Sequence, residues 1–153
     1  HGPWDLVVSS SLSRCTATCR LLLPGQAFEI DEGLREQDWG RWTGQTLKQL
    51  ATFSPGSIEA QERLGWDFTP LGGESRRQVL DRVLKAIHHA SGNRDGQRIL
   101  FIIHLGVIKI LLNHLEDTPF LPGHSSSVAK RALHLLSQDG IKLTILQSNI
   151  KSQ

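Results

Sequence analysis

The sequence has no methionine, only two cysteines, and no apolar run near the roughly 18 residues that a membrane span requires. The longest such run, Ile99 to Ile103, suits a buried strand, so no membrane partner is expected. Charge of one sign is not in excess either. The 17 Lys and Arg against 15 Asp and Glu leave a net charge of +2, too little to argue for nucleic acid or an anionic surface as partner. Cys15 and Cys19 are four residues apart and share one helix face. No CxxC spacing and no second cluster completes a metal set, so no metal is expected. The two read as reduced, partly buried thiols of a cytoplasmic protein. The N-terminus shows no signal peptide. A methionine absent even from position 1 implies a processed N-terminus or a fragment, and the motifs below favour a fragment.

With 153 residues, 39% hydrophobic and 21% charged, the chain has the make-up of one soluble globular domain spanning residues 1–153. Asp5 to Ser10 is a β-rich run whose adjacent Val7 and Val8 suggest a strand covered on both faces, as in a parallel sheet. Ser10 and Ser11 offer capping oxygens to a helix from Leu12, with Leu12, Cys15, Cys19 and Leu22 as its apolar stripe. Pro24-Gly25 ends it. Phe28 to Ile30 is a second strand, and Leu34 to Gly44 an irregular loop with Trp39 and Trp42 as anchors. A short helix is expected from Thr46 to Phe53. A longer one runs from Ser75 to Ala90, burying Val79, Leu80, Val83, Leu84 and Ile87 and turning Arg76, Arg77, Asp81, Arg82 and Lys85 outward. The strand Ile99–Ile103 leads through His104 into a helix ending near Leu115. Ala132–Leu136 and Lys142–Leu146 form a hairpin with its turn at Asp139-Gly140. Alternating strands and helices predict an α/β class, a mostly parallel sheet with helices on both faces in three layers, finished by a C-terminal antiparallel hairpin.

Ligands of open α/β sheets bind beyond the carboxyl ends of the strands. Just past the three strands stand Ser9 to Arg14, then Leu34-Arg35-Glu36, then His104-Leu105-Gly106. An arginine, a carboxylate and a histidine thus share one rim with a helix N-terminus, a combination that favours phosphate.

Four segments in order then resemble motifs of the histidine phosphatase superfamily, which includes the cofactor-dependent phosphoglycerate mutases. Ser9 to Thr18 resembles SSPLxRAxxT, Leu34 to Gly44 resembles LxExxxGxWxG, Gly73-Glu74-Ser75 with Arg82-Val83 resembles GES…RV, and Ile103 to Ile108 resembles SHGGVI. The resemblance implies a phosphomonoester hydrolase that needs no cofactor and acts on a small phosphorylated substrate. It implies that Arg14 grips the phosphoryl oxygens, a fork of donors onto them. Glu36 would protonate the leaving oxygen and then activate water. His104 would donate to the phosphoryl group as charge develops. Ser11, Leu105 and Glu74 are possible substrate contacts. The α-ribazole and broad-specificity phosphatase branches fit equally. A mutase-type phosphotransferase is the weaker alternative, because Gly44 to Gly73 is compact.

The family's nucleophile is a different histidine, in an RHG motif ending the first strand. His1-Gly2 superficially matches its tail, but only Pro3 and Trp4 separate it from the strand at Asp5, too few for a crossover between parallel neighbours. The nucleophile, its strand and the following helix are therefore expected to be missing at the N-terminus, and unpaired strand edges would then favour homo-oligomers. Ile103 stands for a usual serine, Leu105 for a glycine and Ser11 for a proline. A non-catalytic, phosphate-binding pseudoenzyme is the competing reading. A flavodoxin-like nucleotide module is not supported, since no glycine-rich loop follows a strand. Ser75 reads as an N-cap, His88 and His89 as partners of a helix end, His124 as an exposed loop residue, and Trp39, Trp42 and Trp66 as packing anchors.

Overall fold

A computed structural model describes residues 4–92 and 94–151; His1 and Gly2 lie outside the described residues. Three parallel strands, β1 (Leu6–Ser10), β2 (Glu29–Asp31) and β3 (Ile99–Ile102), form one sheet in the order β2-β1-β3. Val8 faces Glu29 on one side of β1, and Leu6 faces Ile99 on the other. All five residues of β1 are buried. This is the signature of a central parallel strand, and the adjacent valines announce it. β3 pairs on one side only among the described residues, and its four residues are half-buried.

The helices are α1 (Ser13–Leu22), α2 (Leu47–Phe53), α3 (Ser57–Glu62), α4 (Arg76–Ser91) and α5 (Leu105–Leu115). Ala86 and Ala90 of α4 pack on Leu6 and Val8 of β1. Val79, Val83 and Ile87 of α4 meet Val107, Ile110 and Leu111 of α5 in the main core, closed by Phe120. Ser75 caps α4 in a reciprocal box with Gln78. Thr46 and Gln49 do the same for α2.

The mixed α/β architecture, with a parallel sheet and an antiparallel hairpin, is the one expected. The hairpin β4 (Ala132–Asp139) and β5 (Lys142–Lys151) is, however, a separate two-stranded sheet. Its loop is Gly140-Ile141, one residue later than predicted, because Asp139 pairs with Lys142. Gly140 takes φ 56°, the left-handed value that the first loop position of a type II′ turn demands.

Three further expectations are corrected. The N-cap of α1 is Leu12, with no side-chain cap; Ser10 turns its hydroxyl to His104 instead. Leu22 is 70% exposed, so the buried stripe of α1 is Cys15, Thr16 and Cys19. Arg76 and Arg82 do not point outward. Arg76 is buried between the rings of Phe68 and Phe120, 4.3 and 4.0 Å from their centroids. Its guanidinium donates to the carbonyls of Gly65 (2.9 Å) and Phe120 (3.2 Å) and to Glu62 (2.8 Å). A cation is tolerated there because it is both paired and hydrogen-bonded. Helix α3 was not anticipated from the sequence, which reads Ser54 to Ser57 only as a break.

Candidate phosphate site

Three separate stretches of chain converge at the carboxyl end of the sheet. Arg14 comes from the first turn of α1, Glu36 from the loop after β2, and His104 from the junction between β3 and α5. The Arg14 Nε–H donates to Nδ1 of His104 at 3.0 Å. A guanidinium can only donate, so Nδ1 carries the lone pair and Nε2 carries the hydrogen. Nε2–H in turn reaches the Ser10 hydroxyl at 2.8 Å. His104 is buried, and that burial, reinforced by the charges of Arg14 and Arg82, lowers its pKa to about 4. The ring is therefore neutral near pH 7, in one tautomer, held between Arg14 and Ser10.

Glu36 lies on the other side of Arg14, with 4.0 Å between its Oε2 and Nη2. Its position depends on a residue without a side chain. A Cβ on Gly106 would lie 2.5 Å from Glu36 Oε1, so only glycine lets the carboxylate approach the first turn of α5. The positive end of a helix is a favourable place for a carboxylate.

Arg82, on α4, fixes the Glu36 loop from behind. It donates Nε and Nη2 to the two oxygens of Glu74, at 2.7 and 2.8 Å. It also donates to the carbonyls of Gly33 and Arg35, both at 2.7 Å, and of Glu36 at 3.2 Å. Those bonds use the full donor set of a guanidinium. Burial opposes ionisation of Glu74, but the Arg82 hydrogen bonds and charge, with the Asp38 amide, hold its carboxyl below the usual range. The buried Gln37 adds a bond from Nε2 to the Glu74 carbonyl at 2.7 Å. Arg82 and Gln37 were missed as site-building residues. A signal for Arg82 lay in the resemblance of Gly73-Glu74-Ser75 with Arg82-Val83 to GES…RV, not in helical spacing, because Glu74 precedes the N-cap Ser75.

Cys15 also borders the site, with its Sγ 3.8 and 3.6 Å from the two ring nitrogens of His104. Burial pushes its thiol pKa up, against the opposing pull of Arg14. The Cys15 side chain is thus a neutral neighbour of the histidine rather than a thiolate.

In front of these groups lies an open cavity of about 900 Å³ whose walls include Arg14, Glu36, Glu74 and Arg82. Glu74 therefore faces the cavity, although both its oxygens are held by Arg82. Ser11 and Leu105, half-buried, are not among the described residues that line it, and His104 sits behind Arg14. The other described histidines lie elsewhere: His88 contacts the Ile141 carbonyl at 3.0 Å, and His124 is exposed in its loop. Trp66 is a packing anchor, stacked edge-on against Phe120 with its Nε1 donating to the Thr118 carbonyl at 2.8 Å. Among the described residues no cluster of metal-ligating side chains occurs, and no helix is long and apolar enough to cross a membrane.

The chain is similar to known proteins over nearly its whole length. A family profile described as "Histidine phosphatase superfamily (branch 1)" matches residues 1–151. Glucosyl-3-phosphoglycerate phosphatase of Mycolicibacterium vanbaalenii is 33% identical over 129 residues, covering 74% of this chain and 54% of that protein. Adenosylcobalamin/alpha-ribazole phosphatase of Salmonella typhimurium is 29% identical over 121 residues, covering 78% and 60%. The solved complex of mycobacterial glucosyl-3-phosphoglycerate phosphatase with inorganic phosphate superposes with a TM-score of 0.76 at 27% identity, covering 96% of this chain and 77% of that one. The chain spans about half the length of the curated relatives it matches.

Proposed function

Because the chain belongs to the histidine phosphatase superfamily, branch 1, we propose that it forms the supporting part of a phosphomonoester hydrolase that works through a phosphohistidine intermediate. The observation that carries this reading is the convergence of Arg14, Glu36 and His104 within 3.0 and 4.0 Å from three distant parts of the chain.

In this mechanism the attacking histidine comes from outside the described residues. When the phosphoryl group enters, Arg14 exchanges its bond to neutral His104 for the phosphoryl oxygens, a stronger, charge-assisted partner. His104 then donates to a phosphoryl oxygen, which requires either the other tautomer or an added proton. The histidine nitrogen bonds to phosphorus as the ester P–O bond breaks, and Glu36 passes its proton to the leaving oxygen. Next, the Glu36 carboxylate takes a proton from water. The water oxygen bonds to phosphorus, the N–P bond breaks, and inorganic phosphate leaves. Arg82 keeps the Glu36 loop in place throughout but touches no reacting atom.

Residues 1–153 are taken as one domain that acts in the cytoplasm, where Cys15 and Cys19 stay reduced, on a small phosphorylated substrate. Among the described residues β3 pairs on one side only, which supports association between copies. A second reading, anion binding without turnover, is favoured by one specific observation: the partner of Arg14 is a neutral imidazole, which an anion can displace without any further group.

The protein expressed from its complete gene should hydrolyse p-nitrophenyl phosphate in the presence of EDTA and carry acid-labile phosphate on histidine after rapid quenching. Phosphate binding without turnover or acid-labile label would favour the second reading and defeat the first.

A further inference from the structure

The hydroxyl of Ser10 has no part in the phosphoryl chemistry, yet it is buried at the end of β1 and faces His104. A hydroxyl is both donor and acceptor, and its hydrogen rotates to suit its neighbours. Here it accepts. The Nε2–H of His104 donates to Oγ at 2.8 Å, and the Leu12 amide donates to the same oxygen at 3.4 Å. Its own hydrogen is left for Cys15. Burial is the main influence on that thiol and raises its pKa; the Arg14 charge and a hydrogen bond from Ser10 oppose the rise. A neutral sulfur is a weak acceptor, so the Ser10 hydrogen is engaged where it gains little.

The other ring nitrogen is in the reverse position. Nδ1 accepts the Arg14 Nε–H at 3.0 Å, and it cannot carry a hydrogen while the guanidinium points at it. An anionic oxygen only accepts, so it requires a hydrogen on Nδ1. Exchanging Arg14 for an anion on this side of the ring therefore demands a change of protonation. Charging the ring is unfavourable: with a pKa of about 4, the neutral form is preferred roughly a thousandfold at pH 7. Among the described residues, the charged or titratable groups that bear on the ring are Arg14 and Cys15 of α1, Arg82 of α4 and, beyond Arg14, Glu36. Moving one hydrogen from Nε2 to Nδ1 avoids the charge, provided that the group opposite Nε2 can turn from acceptor to donor. A hydroxyl can do so; a carbonyl or an amide N–H cannot.

We propose that Ser10 is a positioning residue that lets His104 exchange tautomers when an anion takes Arg14. The inference rests on the phosphate-site reading above and adds how His104 comes to donate. In the free site the ring is Nε2–H, with Ser10 accepting from it and Arg14 donating to Nδ1. In the occupied site the ring is Nδ1–H toward the anion, and Ser10 swings its hydrogen from the Cys15 sulfur to Nε2. The ring's proton count is unchanged: water in the cavity supplies one proton to Nδ1, and one proton leaves Nε2 for water. Each ring nitrogen keeps a partner in both states, as a buried polar group requires. Ser10 touches no reacting atom.

The test uses the protein expressed from its complete gene, isotope-labelled in its histidine nitrogens, and sulfate, an anion with no proton to give at neutral pH. Nitrogen NMR shifts distinguish a ring nitrogen that carries hydrogen from one that does not, and His104→Gln assigns the signals. Without sulfate, Nε2 of His104 should carry the hydrogen. With saturating sulfate, Nδ1 should carry it and Nε2 should not. Two hydrogens on the sulfate-bound ring, or an unmoved Nε2–H, overturns the inference while leaving the phosphate site standing. In Ser10→Ala the bound ring lacks a donor for Nε2 and takes a second proton instead. Sulfate affinity should then fall about tenfold, and fall more steeply with rising pH than that of the unaltered protein. Parallel pH profiles for the two proteins also overturn the inference. The spectra of the unaltered protein carry the test even where Ser10→Ala is unstable. If sulfate does not bind the unaltered protein, the phosphate site itself fails, and the inference falls with it.

Discussion

Two arginines line the same cavity and do opposite things. Arg82 has every donor engaged, by a carboxylate and three backbone carbonyls. Arg14 has one good partner, a neutral histidine, and its side chain is 61% exposed. The first is a strut, because moving it would strand buried acceptors. The second is a hand, because exchanging an imidazole for a phosphate gains a charge-assisted bond. Which arginine binds the ligand is decided by what already holds each of them, and both are near the cavity.

The largest effect should come from removing the strut. Arg82→Met leaves Glu74 and the carbonyls of the Glu36 loop unpaired, and should cost about 3 kcal/mol or more in unfolding free energy measured by urea titration. A cost below about 1 kcal/mol would show that Arg82 does not brace the loop.

Next is the histidine that holds the hand. The folded His104 pKa of about 4 lies below its ordinary 6.5. Between these values the unfolded chain takes up a proton that the folded chain does not. Stability should therefore be complete above the window and decline through it as the pH falls, by at most about 3 kcal/mol. Urea midpoints across this range, compared with those of His104→Gln, isolate the contribution; the same slope in both proteins would refute it.

Arg14→Gln should separate the two roles most cleanly. Sulfate affinity should fall about tenfold or more, while unfolding free energy moves by no more than about 0.5 kcal/mol. A large loss of stability with unchanged sulfate binding would reverse the comparison. The smallest effect is expected for Arg35→Gln. Its pair with Glu32 is exposed on both sides, so stability and sulfate binding should each change by under about 0.5 kcal/mol.

Much of this was legible before any coordinates. Adjacent valines marked β1 as a strand covered on both faces, Ser75 marked the start of α4, and the residues just past each strand end gave Arg14, Glu36 and His104. What the sequence hid was the environment of its long polar side chains. Helical periodicity puts Arg76 and Arg82 among the charged residues of α4 and assigns them to solvent. Yet each is held by a carboxylate outside the helix and by carbonyls of other segments, and helical periodicity does not encode that partnership. Gly106 was visible as a residue but not as a contact, since its role is the space it leaves for Glu36. The hairpin turn was misplaced by one residue because Asp-Gly suits a type I′ loop, whereas the pairing of Asp139 with Lys142 selects Gly140-Ile141.

The position of Cys15 has a practical consequence. Its thiol is shielded, neutral and pressed against His104, so an alkylating reagent can reach it only when the pocket opens. The rate of that modification then counts openings, much as amide exchange counts the unfastening of a helix. Anything that ties Arg14 and His104 to a bound anion should slow the count. The chain thus carries its own chemical clock, set a few ångströms from the groups whose motion it would time.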